Sequence, residues 1–510
     1  MPQWRTKAHP DPDGETFELL VNALDTRWEQ FAAYGVSDLG LFFDFASLYQ
    51  EPRTAEQGDI FGGALKSINL WYAHKLTTVW LITAGVDAHM GYSYWDKGWT
   101  SFEYYLAMMI KCSNTSFAAS WPQVVDLGRA SEQQIYFARP PIVEPLGFYA
   151  GHQSGDKVYT NGADRDRIVA PKFKQTVFEL LGGLDELDFS ALGWGDAELV
   201  QLTSVLPLCG RMRTLRLGRN AFTAVGALAL SRWLATSTRL EVLELNENFI
   251  GGAGASAIGT AMHERCTLRE LRLDNNGIDA EGMRAIAAAL GASISALATL
   301  SLLCNPMGGD GGAVAFAATG ASLRRNAALT ELNLSCTAIG DVSVTALSPG
   351  IAANTTLRCL LLTRSAVGDM GAAALADVLR TNGALTYINL AHNHIGDAGA
   401  SALADAIRIN QTLAHLVLQD NLIGKAGGTA FFGALGAMNA LRHLNVDYNN
   451  IGEKRGDGGW RNAPLDVLLK ALANGSVSLS QLDLENNGLS EEAKEALLRA
   501  PRPESLKLTV

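Results

Sequence analysis

The chain has 510 residues, of which 48 % are apolar and 18 % charged, and its formal net charge is -11. That length exceeds one ordinary hydrophobic core, and the mixture is that of a folded protein with little disorder. The acidic balance argues against nucleic acid as a partner, because affinity for phosphate comes mainly from Lys and Arg.

The opening Met1-Pro-Gln-Trp-Arg-Thr-Lys-Ala-His-Pro-Asp-Pro-Asp-Gly has no apolar leader region. No later run approaches the roughly 20 apolar residues that span a bilayer, so no membrane partner is expected. Cys112, Cys209, Cys266, Cys304, Cys336 and Cys359 are scattered, with no C-x-x-C pair. This fits a reducing compartment and a cytoplasmic protein better than a disulfide framework.

In chain order, the spacing predicts a helix over Glu15 to Tyr34, then a buried strand in the apolar run Asp38-Leu-Gly-Leu-Phe-Phe-Asp-Phe-Ala. A helix from Phe61 to His74, a strand at Thr77-Thr-Val-Trp-Leu-Ile-Thr and a helix from Trp99 to Ile110 follow. Gln123-Val-Val-Asp-Leu supplies a further strand. Alternating strands and helices predict an α/β domain with a parallel sheet over residues 1–150. Asp44 at a strand end and Tyr49 just after it are pocket candidates, since ligands of parallel sheets bind at the carboxyl ends of strands.

The strand at Leu39 to Phe45 followed by Ser47-Leu-Tyr-Gln, the Val79-Trp-Leu-Ile strand, and Trp99-Thr-Ser-Phe-Glu103 opening a helix resemble the Toll/interleukin-1 receptor (TIR) family and its relatives. The resemblance implies a TIR-like, flavodoxin-like fold, with Glu103 as the catalytic carboxylate of members that cleave NAD. NAD is then a substrate, and no cofactor is expected. The sequence departs from that family in lacking room for a first strand before the helix at Glu15. A carboxylate in the first turn of a helix also complements the helix dipole by about 0.3–1 kcal/mol without any catalysis.

Residues 151–183 read as a linker and a cap. Gly151-His-Gln-Ser-Gly-Asp-Lys is turn-rich, and Phe173, Val177, Phe178 and Leu181 form one face of a helix. From 184 to 510 a pattern Leu-x-x-Leu-x-Leu-x-x-Asn-x-Ile recurs about eleven times, starting at Leu184, Met212, Leu240, Leu268, Leu297, Leu329, Leu357, Leu385, Leu413, Leu441 and Leu479. Most steps are 28 residues, enough for a strand, a turn, a helix and a return loop. The Asn, at 220, 248, 276, 305, 393, 421, 449 and 487, is placed to bond backbone groups of neighbouring coils, with Thr337 and Ser365 as substitutes. Leu506, Leu508 and Val510 suit a closing strand.

Gly-rich turns such as Ile395-Gly-Asp-Ala-Gly-Ala and the Ala-rich runs after them make this stretch resemble ribonuclease-inhibitor-type leucine-rich repeats. That resemblance implies a horseshoe solenoid with a parallel inner sheet, outer helices and a protein partner on the concave face. Residues between the leucines face that side. One row runs Arg216, Glu244, Arg272, Ser301, Asn333, Leu361, Asn389, Val417, Asn445, Asp483, and its charged start predicts cross-strand ion pairs. The next row ends Tyr387, His415, His443, Gln481, with His392 and Tyr448 just beyond. Aromatics dominate interface energies, so Tyr387, His392, His415, His443 and Tyr448, with Trp460 in the insertion around Glu453 to Trp460, are the binding candidates. No third ligand accompanies the two strand histidines at a convincing spacing, so no metal is expected.

The functional expectation is an interaction scaffold or receptor-like signalling protein whose N-terminal domain mediates assembly, self-association included. The alternative is a TIR-like NAD hydrolase regulated by its repeats. The absence of G-x-x-x-x-G-K-[ST], G-x-S-x-G and H-E-x-x-H excludes those phosphate-loop, hydrolase-elbow and zinc-protease motifs.

Overall fold

The computed structural model describes residues 15–33, 37–38, 54–73, 77, 79–81, 96–109, 124–126, 139–153, 157, 159, 163–265, 267–292, 295–309, 311–452, 463–474 and 478–510. The predicted strand at 39–45, Asp44, Tyr49 and Trp460 lie outside them. The chain forms two compact units, Met1–Leu215 and Arg216–Val510, so the coil predicted from Leu184 falls within the first.

In the first unit, helices α1 (Glu15–Ala33) and α2 (Ala55–Ala73) precede strand β1 (Val79–Leu81). Helix α3 (Gly98–Met108) and strand β2 (Val124–Asp126) follow. β1 and β2 pair in parallel, with Val79 opposite Val124. Parallel pairing needs a crossover, and α3 lies between the two strands in sequence. Beyond them come α4 (Pro145–Gln153), α5 (Ala170–Gly183), β3 (Glu186–Asp188) and α6 (Asp196–Val205). The helix predicted from Pro171 to Leu181 is α5, one residue longer at its start and two at its end, and it buries Phe173, Val177 and Leu181 but leaves Phe178 exposed.

The core of this unit is aromatic. Phe102 of α3 meets Phe173 of α5 edge-on at 6.4 Å, and Phe148 of α4 stacks on Phe173 at 3.8 Å. Arg139 is buried beside them, where an uncompensated charge would be costly. Its Nε donates to Met108 O at 2.6 Å and its Nη2 to Met109 O at 2.5 Å, closing the carbonyl end of α3. Its guanidinium also lies 4.4 Å from the Phe189 ring centroid.

The second unit repeats one supersecondary element. Strand β4 (Thr214–Arg216) spans the division, and ten strands follow among the described residues. They are β5 (Val242–Glu244), β6 (Glu270–Arg272), β7 (Thr299–Ser301), β8 (Glu331–Asn333), β9 (Cys359–Leu361), β10 (Tyr387–Asn389), β11 (His415–Val417), β12 (His443–Asn445), β13 (Gln481–Asp483) and β14 (Lys507–Thr509). Each pairs in parallel with the next in sequence order, and β14 is the predicted closing strand. The central residue of each strand from β4 to β13, Ile388 in β10 and leucine in the others, is buried inward, and the residues on either side of it point away. A helix follows the turn of each coil from β4 to β13, and from Ala224–Leu234 to Lys425–Ala434 each packs on the helix of the next coil. The helices therefore form one layer and the strands the other.

Helices approach closely where glycine meets glycine. A Cβ on Gly350 would stand 2.1 Å from Gly320 O, so helices Gly312–Leu323 and Gly340–Ala353 touch backbone to backbone. The glycines of the repeat turn have a different cause. Asp369 Oδ1 accepts from Gly396 N and Gly399 N, both at 2.8 Å, and a Cβ on Gly399 would fall 2.8 Å from that oxygen. Asp341 and Asp397 cap the next coil's helix in the same way.

Two asparagine ladders satisfy the backbone where it leaves the regular elements. In the predicted one, Asn393 Nδ2 donates to Leu362 O at 2.8 Å and Leu390 O at 2.9 Å, while its Oδ1 accepts from Ser365 N and Val367 N. Thr337 and Ser365 replace Asn by donating to Leu334 O. The second ladder was not foreseen. Asn326, Asn354, Asn382 and Asn410 stand three residues before the leading leucine of successive coils. There Asn354 Nδ2 donates to Leu323 O at 2.7 Å and Asn326 O at 3.0 Å, and its Oδ1 accepts from Thr356 N and Leu357 N.

Candidate interaction surface on the strand face

The register brings three of the predicted site residues into one row. Tyr387 lies opposite His415, and His415 opposite His443, on β10, β11 and β12. All three are half-buried on the face away from the leucines. The Tyr387 and His415 rings stand 5.8 Å apart, tilted by 33°, and the His443 ring meets His415 edge-on at 5.9 Å. They form one continuous aromatic strip.

His392 and Tyr448 sit elsewhere in the coil. Both occupy the turn position just before the ladder asparagine, with φ of 57° and 54°. The same left-handed backbone holds Arg219, Glu247, Asn275, Cys304, Cys336, Arg364, Asp420 and Asn486, one per coil. The turn geometry thus aligns a second row beside the strand row. Tyr448 is 52 % exposed within it, whereas His392 is half-buried and its Nδ1 lies 2.6 Å from Asp420 Oδ2.

Two acidic residues that the sequence reading did not count among the site residues complete the surface. Asp483 Oδ2 lies 2.7 Å from His443 Nε2, and the same carboxylate accepts from Thr509 and Gln481. Burial raises its pKa, but these donors outweigh burial and hold the carboxyl below its ordinary range. Asp420 is found by adding the repeat period to His392, a signal present in the sequence. Burial, and then the neighbouring His443, lower the pKa of His415, so its ring favours the neutral form. Burial raises the Tyr387 hydroxyl.

The charged end of the face differs from expectation at one residue. Arg216 pairs across strands with Glu244 at 3.3 Å, and Arg219 with Glu247 at 3.0 Å. Arg272 instead binds Glu270 of its own strand at 2.5 Å, since residues two apart on a strand share a face. These pairs are partly exposed and stabilise by only about 0.2–1 kcal/mol each.

In the first unit, α3 begins at Gly98, which moves Glu103 from the predicted first turn into the second. The dipole effect falls off beyond the first turn, so it does less for Glu103 there, and only 7 % of the residue's surface is exposed. Trp99 is tied to the segment before α5, its indole N–H donating to Asp164 Oδ2 at 3.3 Å.

His152 is the buried titratable group of this unit with the sharpest consequence. It is 3 % exposed, its Nδ1 lies 2.8 Å from Phe148 O, and its Nε2 has no partner. Burial first, and then the positive Lys157 and Arg165, lower its pKa against the raising effect of the Phe148 carbonyl. A proton added at Nε2 would be a buried donor without an acceptor. The unfolded chain, with an ordinary value of about 6.5, then binds protons that the folded chain refuses. Stability is fully present above that pH and declines as pH falls toward the lowered folded value. Denaturant unfolding between pH 7.5 and 5 should show a steeper loss in the wild type than in His152→Leu. Equal slopes would contradict it.

Among the described residues no group of three or more His, Cys, Asp or Glu side chains could hold a metal, and no helix is long and apolar enough to cross a membrane.

The Leucine Rich repeat family matches residues 236–259, 265–287, 325–348, 353–376 and 384–404. No curated protein matches the chain. Among solved structures it is similar to an internalin from Listeria monocytogenes, at 16 % identity and a TM-score of 0.39, over 65 % of this chain and 88 % of that one. It is also similar to the tropomodulin C-terminal domain of Caenorhabditis elegans, at 14 % identity and a TM-score of 0.25, over 30 % and 88 %. A third is the leucine-rich ectodomain of the Arabidopsis receptor kinase HAESA, in complex with a peptide hormone, at 16 % identity and a TM-score of 0.33, over 59 % and 41 %. Residues 236–404 therefore carry leucine-rich repeats on both sequence and structural grounds.

Proposed function

We propose that the protein is an interaction scaffold whose strand face, the concave side of the repeats, takes a protein partner. The observation that carries this is the strip of Tyr387, His415 and His443, held in register and half-buried on the face away from the inward leucines. Rigid aromatics on a preorganised sheet lose little entropy on binding and dominate interface energies. The Asp483 carboxylate fixes His443 at the end of the strip, and Asp420 fixes His392 in the turn row beside it, so the surface meets a partner in one arrangement. Under this reading the N-terminal unit serves assembly or signalling, through self-association. The experiment is partner affinity in the full chain carrying Tyr387→Ala and His415→Ala.

A second reading, a TIR-like unit that hydrolyses NAD, is favoured by one observation. β1 and β2 pair in parallel with α3 between them in sequence, and α3 carries the buried Glu103. In that role the carboxylate engages the ribose while nicotinamide leaves as the cationic transition state is stabilised. NAD consumption by the full chain under crowding, lost in Glu103→Ala, is the expected result. Equal turnover in wild type and variant, or none in either, would sink it.

A further inference from the structure

Cys304 and Cys336 hold the same place in successive coils, each the second residue after an inward leucine, Leu302 or Leu334. The strands before them pair with Ser301 opposite Asn333, an offset the turn preserves, since Cys304 N donates to Ser335 O at 2.9 Å. Register mates of a parallel ladder stand about 4.8 Å apart. That lies inside the Cα separation of about 4.4–6.8 Å that a disulfide spans. Both residues have φ of 57°, so their side chains leave the backbone in the same direction.

The two thiols are reduced, Cys304 exposed and Cys336 half-buried, and they interact with one another. Cys359 differs, because its register mates on the two adjacent strands are Glu331 and Tyr387, neither of them a thiol. Cys209 is buried in the first unit. Among the described cysteines, 304 and 336 are thus the pair that the fold sets side by side.

We propose that Cys304 and Cys336 form an oxidisable dithiol site that a peroxide converts into a disulfide clamping adjacent coils. The exposed Cys304 thiolate attacks a peroxide oxygen, the O–O bond breaks, and a sulfenic acid forms with release of hydroxide. The Cys336 sulfur then displaces the sulfenic oxygen, and its proton leaves with that hydroxide as water. Per pair, two thiols and one hydrogen peroxide give one disulfide and two waters. The clamp joins the coils across the long step from Leu297 to Leu329, where the turn carries Gly308 and Gly309. Burial, then the Cys336 thiol and Asp274, raise the Cys304 thiol's pKa, while Arg364 lowers it, so reaction quickens with rising pH.

The test treats the folded full chain with hydrogen peroxide, alkylates remaining thiols, and maps tryptic peptides. Arg324 and Arg325 lie between the two cysteines, so the cross-link appears as a joined pair of peptides. The expected result is a Cys304–Cys336 peptide within one chain, reversed by dithiothreitol, with Cys359 alkylated as before. The oxidised chain should unfold a few degrees above the reduced one, a difference that vanishes in Cys336→Ser and in Cys304→Ser. Full alkylation of both residues after peroxide, over-oxidation of Cys304 without a cross-link, or a cross-link only between chains would each overturn the proposal. Because the mapping needs only the wild-type chain, a variant that fails to fold does not blunt it.

Discussion

A chain carrying Asn354→Ala should lose about 3 kcal/mol of stability in the Arg216–Val510 unit, one of the largest effects expected of a substitution outside the leucine core. The side chain is 2 % exposed and makes four hydrogen bonds to backbone groups. Alanine leaves the Leu323 carbonyl and the Thr356 and Leu357 amides without that partner, and each unsatisfied buried group costs about 1–3 kcal/mol. Water entering the space offsets part of this, which sets the estimate below the sum. The exposed Asn439 is the control, and Asn439→Ala should stay within about 0.5 kcal/mol of wild type. Denaturant melts followed by hydrogen exchange would show the loss centred on the coils around 326–382, since each coil touches only its neighbours. Equal stability of the two variants would contradict the ladder's role.

The leucine register was fully legible because burial forces it. One inward leucine or isoleucine per strand at a nearly constant period leaves no other way to stack the coils, and β5 to β13 fall where that spacing put them. The first asparagine ladder was legible for the same reason, its Asn being part of the pattern. The second was not, because Asn326, Asn354, Asn382 and Asn410 precede the leading leucine in what reads as a polar return loop. Their shared offset was the signal. Cys304 and Cys336 were passed over similarly, their linear spacing being uninformative until measured against the period. Arg272 was misassigned because a strand offers a charge two kinds of neighbour, and alternation along one strand was not weighed against pairing across strands. In the N-terminal unit the Val79 and Val124 strands and α3 were readable from apolar runs, whereas α3 starting at Gly98, one residue earlier than predicted, makes Glu103 its sixth residue.

The candidate surface itself was half legible. Tyr387, His415 and His443 share a row because they share a repeat position, which sequence shows directly. The carboxylates that order the histidines come from the next coil, and His392 and Tyr448 belong to the turn row that the left-handed backbone defines.

That strip carries the second large expectation. Truncating a buried aromatic anchor at an interface costs about 2 kcal/mol or more, so Tyr387→Ala with His415→Ala should weaken partner binding about 30-fold. The fold should tolerate the pair, because both side chains are half-buried on the strand face while Ile388 and Leu416 beside them fill the core. Neither ring makes an inter-coil bond like those of the ladders. The comparison substitution is Val342→Ala with Met370→Ala, on the helix layer, where each residue is 64 % exposed. The decisive measurement is the Kd of a partner captured by the wild-type full chain, titrated against both double variants. A loss near 30-fold for the Tyr387 and His415 pair, with the helix-layer pair unchanged, is the predicted result. An unchanged Kd for the strand-face pair would contradict docking on that face.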